Sequence, residues 1–324
     1  MLELGAQAVG RRHRPYLRAR PGGPPASLWP YSQALHAAVL LGRIRGDRRT
    51  SDRWGGELER YRCGQVYSSV RKPALGWRFF DDNAWVGLAA AQAAAFERDV
   101  GMQHFVRRVL SWARAGEAPG GGIRWREARA GLHACSTGAV GWLALRVNPP
   151  GTTPSAPDLA LAGRCRDFLA VTLRLPGGLV ADNLNSSGQI EERPWSYNQG
   201  LLIAIEVLLA RAGDPDALNR AREHADLSCR WFSASDRLWK EPPCFVAVLF
   251  RALLLLDSAD DDPRWPRFVD RYLDRAWTEA RTASGDWSGS GIGAYRDEWT
   301  LDLAAMVQIA SLRALPAPDY ETLC

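Results

Sequence analysis

Three segments of this chain are apolar on nearly every face: Ala84–Ala95, Leu201–Leu209 and Phe245–Leu256. A helix at a protein surface needs only one apolar stripe, so a helix apolar all round has to be covered on all sides. These runs are too short for a bilayer, which takes about 20 apolar residues. Protein must therefore cover them. Pro266–Ala283 reads differently, with charged residues recurring between apolar ones as on a helix that shows one face to water. Two kinds of helix in one chain imply layers, with an inner set buried by an outer set.

The rest of the chain repeats this arrangement. Ser27 caps a helix with an early Pro30 and apolar Leu35, Val39 and Leu40 running toward Ile44. A polar segment from Gly46 to Lys72 holds a short helix around Glu57 to Tyr61. Gly101 is expected to separate the Ala84 helix, capped by Asp82 or Asp81, from an amphipathic helix over Phe105 to Ala115. Further helices are expected over His133–Val147, Asp158–Leu173, from an Asp214-Pro215 cap to Phe232, and over Glu298–Leu315. That makes about eleven or twelve helices joined alternately by short turns and by long loops rich in Trp, Gly, Asn and Asp. Sustained two-residue alternation is missing, so the chain reads as all-α. Helical hairpins set in a ring satisfy the pattern, and the long loops at one end of the ring would build a cleft.

Composition excludes several classes. The net charge of +5 comes almost wholly from scattered Arg, since Lys72 and Lys240 are the only lysines, and no nucleic-acid motif accompanies it. The six cysteines contain no CxxC pair and the five His have no metal spacing, so buried free thiols and no metal are expected. Met1–Pro25 is rich in Arg, Gly and Pro and lacks the apolar core of a secretory signal. It reads as a flexible tail on a cytoplasmic protein with no membrane partner; a trimmed start would instead leave room for secretion. The expected organisation is a tail over 1–25, one domain over 26–316, and a C-terminal tail over 317–324.

Chemistry concentrates in Gly76-Trp77-Arg78-Phe79-Phe80-Asp81-Asp82-Asn83-Ala84-Trp85. Two carboxylates at a helix start are welcome as caps, because the free N–H groups and the dipole favour negative charge. They are also the minimum equipment of most glycosidases, and Trp77, Phe79, Phe80 and Trp85 offer flat faces on which a sugar ring stacks. Gly120-Gly121-Gly122 lacks the ending of a phosphate loop, so its glycines are expected to let the backbone pass close to a ligand or a neighbouring loop.

The runs FFDDNAWVGLA, GGGIRW with CSTGAVGWLALR, and DNLNSSGQ with WSYNQGLLIAIEVLL resemble the successive signatures of glycoside hydrolase family 76. The opening LWPYSQALHAAVLLG and the closing EWTLDLAAMVQIASL also resemble relatives in that family, so the likeness spans Leu28 to Leu315. Its best-known members are endo-acting α-1,6-mannanases. The resemblance implies an (α/α)6 barrel, a carbohydrate substrate, no cofactor, and retaining hydrolysis with Asp81 as nucleophile and Asp82 as general acid/base. It marks Asn83, Trp85, Trp125, His133, Thr137, Asp182, Asn183, Trp195, Tyr197, Asn198 and Gln199 as substrate-binding candidates, with Trp125 and Trp195 as stacking platforms. Family members usually carry Lys-Asn-Ala and Ser/Thr-Asn-Gly where this chain has Leu132-His133-Ala134 and Ser136-Thr137-Gly138. The departures imply altered hydroxyl recognition, and they admit a smaller intracellular glycoside as a rival to linear mannan. The competing classes have less support. A sugar epimerase would need paired histidines, and an isoprenoid cyclase would need aspartates about a helical turn apart to hold Mg²⁺. A non-catalytic sugar-binding protein would not need the Asp pair.

Overall fold

A computed structural model describes residues 16–47, 55–97, 100–281 and 299–324. Six helices form an inner ring: Leu28–Arg45, Phe80–Glu97, Ala134–Arg146, Ser196–Arg211, Pro243–Asp260 and Trp299–Ala314. Each packs on the next, and the last closes against the first. Outside them lie Val100–Ala113, Ala156–Asp167, Ala217–Ser233 and Arg264–Glu279. The architecture is the expected all-α (α/α)6 barrel. The Pro243 helix is buried without interruption to Leu256, whereas the Arg264 helix buries only Trp265, Phe268, Val269, Tyr272 and Ala276. That is the two-layer division anticipated from the apolar runs.

The inner helices approach one another through glycine. A Cβ on Gly138 would stand 2.5 Å from Leu201 Cβ, and one on Gly200 would stand 2.7 Å from Leu249 Cα. Neither distance is open to a larger residue without movement of the ring.

Among the described residues, strands are confined to two-residue ladders. Arg62–Cys63 (β1) pairs with Val66–Tyr67 (β2), while Leu132–His133 (β3), Asn183–Leu184 (β4) and Ile190–Glu191 (β5) form an antiparallel three-strand patch. The patch fastens two long loops together over one end of the ring.

Several boundaries differ from expectation. The central helix starts at Phe80, whose N–H donates to the Trp125 carbonyl at 2.9 Å, so Asp81 and Asp82 sit inside its first turn rather than ahead of it. Gly101 lies within the Val100 helix, where packing of the amphipathic stripe outweighs glycine's weak helix propensity. The Asp158–Leu173 helix is an α-helix only to Asp167 and continues as a π-turn over Phe168–Thr172. Asp216, not Asp214, occupies the N-cap of the Ala217 helix.

Neither end of the described chain hangs loose. Residues 16–25 of the expected N-terminal tail form a turn in which Ala19 N–H donates to Pro24 O and Ala26 N–H to Leu17 O, with Leu17 buried. Its Ala19 carbonyl caps the Trp299 helix at Thr300 N–H, 3.0 Å away. At the opposite end, a 3-10 turn over Ala317–Thr322 packs against the Pro243 and Phe80 helices. Arg146 donates to the carbonyls of Glu321 and Leu323 at 2.7 Å each, and Arg211 to that of Glu321 at 2.8 Å. Residues 1–15 of the expected tail, Glu298, and the end of the Pro266–Ala283 segment lie outside the described residues. All six cysteines are free thiols; Cys63, Cys135 and Cys229 are only partly buried, contrary to expectation. No helix among the described residues is long and apolar enough to cross a membrane.

Candidate active site

The hairpins return each inner helix to the same end, so the first turns of the inner helices gather at one mouth. A cavity of about 500 Å³ opens there. It is lined by Trp29 and Pro30 of the first inner helix, Asp81, Asp82 and Trp85 of the second, Cys135 of the third, Tyr197 of the fourth, and Cys244, Phe245 and Val248 of the fifth. The loops add Ser27, Ser69, Phe79, Trp125, His133, Asp182 and Trp195.

The two central carboxyl groups live in unlike surroundings. Asp81 Oδ2 accepts from the Trp125 indole Nε1 at 3.1 Å and from the Cys135 thiol at 3.2 Å. Its Oδ1 is buried with no hydrogen-bond partner. Burial pushes the Asp81 carboxyl up to about 6; the Cys135 thiol, the backbone N–H groups of Asp82 and Asp81, and the Trp125 indole hold it from going further. Asp82 has no such donors. Burial, then the charge of Asp81, lift its pKa well above the usual carboxylate range. One pair therefore contains a carboxyl that ionises first and a carboxyl that keeps its proton, the split that acid–base chemistry requires.

The β3–β4–β5 patch brings the second half of the site opposite the first. Ala134 N–H donates to the Asp182 carbonyl at 2.9 Å, setting His133 beside Asp182 at the mouth. Asp182 Oδ1 accepts from the Tyr197 hydroxyl at 3.0 Å and Oδ2 from the Asn183 amide at 2.9 Å. His133 stacks on Trp125 with centroids 5.1 Å apart and planes 23° apart. Burial lowers the His133 pKa, so at neutral pH the ring is an uncharged partner. Trp195 stands edge-on to Phe245 at 5.0 Å, and the Arg193 guanidinium covers its ring at 3.6 Å. Trp85 is buried at the floor, where its carbonyl pairs with His36 Nε2 at 3.1 Å.

Five expected binding residues do not line the cavity. Asn83 is fully buried and clamps β2, accepting from Tyr67 N–H at 2.9 Å and donating to the carbonyls of Tyr67 and Phe79, also at 2.9 Å. Gln199 does the same one loop on: its amide accepts from Val180 N–H and donates to the carbonyls of Val180 and Trp195, each at 2.9 Å. A carboxamide matches a peptide group donor for acceptor, so these residues serve buried backbone and leave nothing for a ligand. Asn198 donates to the Ala181 carbonyl at 3.2 Å, and the Thr137 hydroxyl accepts from Ile123 N–H at 2.9 Å; both are buried. Asn183 acts behind Asp182, through the bond already described. Gln199→Ala strands the Val180 peptide and a carbonyl at once, so it is expected to cost about 2–4 kcal/mol, read as a lower urea midpoint with unchanged m-value.

The glycine loop serves packing. Gly121 has φ +90°, and a Cβ there would lie 2.5 Å from the Arg164 carbonyl oxygen, so the loop passes against a neighbouring helix end. Among residues not singled out from sequence, Trp29, Pro30, Cys244 and Phe245 belong to the first turns of apolar helices, as Asp81 and Tyr197 do, and Val248 lies one turn further on. That placement was the available signal. Cys135 was assigned to the buried thiols and instead faces the cavity and Asp81. No cluster of three metal-ligating side chains occurs among the described residues.

The inner ring of six helices thus holds two adjacent, unequal carboxyl groups among aromatic faces at its mouth. The sequence profile of glycosyl hydrolase family 76 matches residues 12–316, and the chain belongs to that family. No curated protein matches the sequence significantly. Among solved structures, a family 76 glycoside hydrolase from a bovine Bacteroides thetaiotaomicron strain superposes with TM-score 0.78 at 21% identity, covering 94% of this chain and 74% of that one. An inactive variant of the α-1,6-mannanase of Salegentibacter, two consecutive aspartates replaced by asparagine and α-1,6-mannotriose bound, gives 0.76 at 20%, covering 92% and 93%. Dfg5 of Chaetomium thermophilum, in complex with glucosamine, gives 0.74 at 14%, covering 96% and 87%. At such identities the superpositions establish the fold.

Proposed function

We propose that the chain is a retaining α-glycoside hydrolase of the α-1,6-mannanase type, with Asp81 as nucleophile and Asp82 as general acid/base. The observation that carries this reading is the asymmetry of the pair. Asp81 has two side-chain donors to stabilise its charge and an unpartnered oxygen; Asp82 has a buried environment that keeps it protonated. In the first step Asp81 attacks the anomeric carbon while Asp82 passes its proton to the glycosidic oxygen, releasing the aglycone. In the second, Asp82 takes a proton from water, and the hydroxide so generated displaces Asp81 from the sugar with the original anomeric configuration.

Asp81, Asp82 and Asp182 line the cavity and no Lys or Arg among the described residues does, which favours a neutral sugar over an anionic one. Trp125 and Trp195 are the stacking platforms, and Asp182 with Tyr197 meets the hydroxyls. A specific feature favours a second reading on the same chemistry. Trp29, Pro30, Phe245 and Val248 make an apolar wall, which suits an α-glycoside with a hydrophobic aglycone. Hydrolysis of α-1,6-mannobiose, mannotetraose, yeast mannan backbone and aryl α-glycosides, followed by NMR, decides between them. Release of the α-anomer from the mannosides supports the first reading, turnover of the aryl glycosides alone supports the second, and release of the β-anomer overturns both.

The pH profile follows from the pair. Ionisation of Asp81 switches the enzyme on, so kcat/KM is expected to rise as pH passes through about 6. Loss of the Asp82 proton switches it off only at higher pH, because its pKa is raised well above normal. The two limbs belong to the coupled pair, and removing either carboxyl should abolish the bell. A profile with its optimum below pH 4 would contradict the assignment.

A further inference from the structure

We propose that Cys135 is a positioning residue which, with Trp125, pins Oδ2 of Asp81 and so fixes the plane in which the carboxyl group meets the anomeric carbon. This rests on the reading of Asp81 as nucleophile. Both donors converge on the same atom: Trp125 Nε1 lies 3.1 Å and Cys135 Sγ 3.2 Å from Oδ2, while Oδ1 is buried without a partner. Two donors on one carboxylate oxygen restrict rotation about the Cβ–Cγ bond, so the group keeps one orientation. A nucleophile held this way meets its substrate at a fixed angle, and orientation of that kind lowers the barrier without new contacts to substrate.

The thiol is suited to the task because it keeps its proton. Burial, then the charges of Asp81 and Asp182, raise the Cys135 pKa well above normal, so the group facing Asp81 is S–H and a donor. Its place is set by backbone. Cys135 is the second residue of the Ala134 helix, whose Ala134 N–H is tied to the Asp182 carbonyl at 2.9 Å. The bland account is that Cys135 fills space beside Tyr197 and Asp81. A filler would not need a donor.

The test compares wild type, Cys135→Ala and Cys135→Ser by ¹³C NMR titration of the Asp carboxyl groups, with Asp81→Asn assigning the resonance, and by kcat/KM against pH on an α-glycoside that the wild type turns over. Loss of the donor in Cys135→Ala is expected to raise the Asp81 titration by about half a unit or more. It should move the acid limb of kcat/KM with it and lower kcat about tenfold with little change in KM. Cys135→Ser, which restores a hydroxyl donor, should recover most of both. An Asp81 titration unchanged in Cys135→Ala overturns the proposal, as does a serine variant no better than alanine; in either case the nucleophile reading survives if Asp81→Asn is inactive. A shifted titration in a wild type that cleaves no glycoside overturns the nucleophile reading, and the positioning role falls with it.

Discussion

Asp81→Asn and Asp82→Asn are each expected to lower kcat by on the order of 10⁴-fold on a natural glycoside, and to fail in different ways. Asn in place of Asp81 still accepts from Trp125, so the variant should fold, but its amide oxygen is a poor nucleophile. With Asp81→Gly, the small anion azide fits the vacated space and attacks the sugar from the nucleophile's side, so the recovered product should be the β-glycosyl azide. Asp82→Ala keeps the nucleophile and loses the proton donor. Substrates whose leaving group departs without protonation, such as dinitrophenyl glycosides, should therefore still form the glycosyl-enzyme. Azide should then intercept it to give the α-azide, the product of two inversions. The stereochemistry of the two azides reads out which aspartate does what. The reverse assignment of products would exchange the roles. Equal loss with no rescue in either variant would remove the pair from covalent catalysis.

The second large effect concerns the ring. Gly→Ala inside a helix ordinarily stabilises by about 1 kcal/mol, because alanine loses less backbone entropy on folding. At Gly200 the sign should reverse. An added Cβ would stand 2.7 Å from Leu249 Cα, 2.9 Å from Leu249 N and 2.9 Å from the Val248 carbonyl oxygen. Those are backbone atoms of the adjoining inner helix, so no side chain can rotate away and two helices must part. Overpacking of that kind costs about 1–3 kcal/mol, and at this chain length the expected fall in Tm is about 5 °C. Activity should suffer too, since Gly200 is three residues from Tyr197 and one from Gln199, both of which set the mouth. Gly163→Ala is the control. It lies in the outer Ala156 helix with nothing within 4 Å of the added Cβ, and is expected to raise Tm. A thermal melt in which the two variants behave alike would mean that the inner ring relaxes where the distances say it cannot.

Much of this protein is present in the periodicity of its sequence. All-round apolar character identified the inner helices through Ala84, Leu201 and Phe245, and one-sided character identified the outer Arg264 helix, because burial on one face or on all faces leaves different residue patterns. The Asp81-Asp82 pair was visible for the same kind of local reason: two adjacent carboxyl groups at a helix start amid Trp and Phe are unusual chemistry wherever they lie. The polar residues beside them were not legible. Asn83, Thr137, Asn198 and Gln199 stand within a turn of cavity residues and carry the same functional groups as ligand contacts, yet they face buried peptides. Trp29, Cys135 and Phe245 look like core filler and face the mouth. A helix residue's neighbour is turned by about 100°. Whether an amide meets a sugar or a backbone carbonyl therefore depends on where the ring axis lies and which loop arrives beside it. Local sequence determined the helices, their two layers and the acid pair; only the closing of six helices into a ring, with two loops tied by a short ladder, decided which side chains reach the cavity and how unequal the two aspartates become.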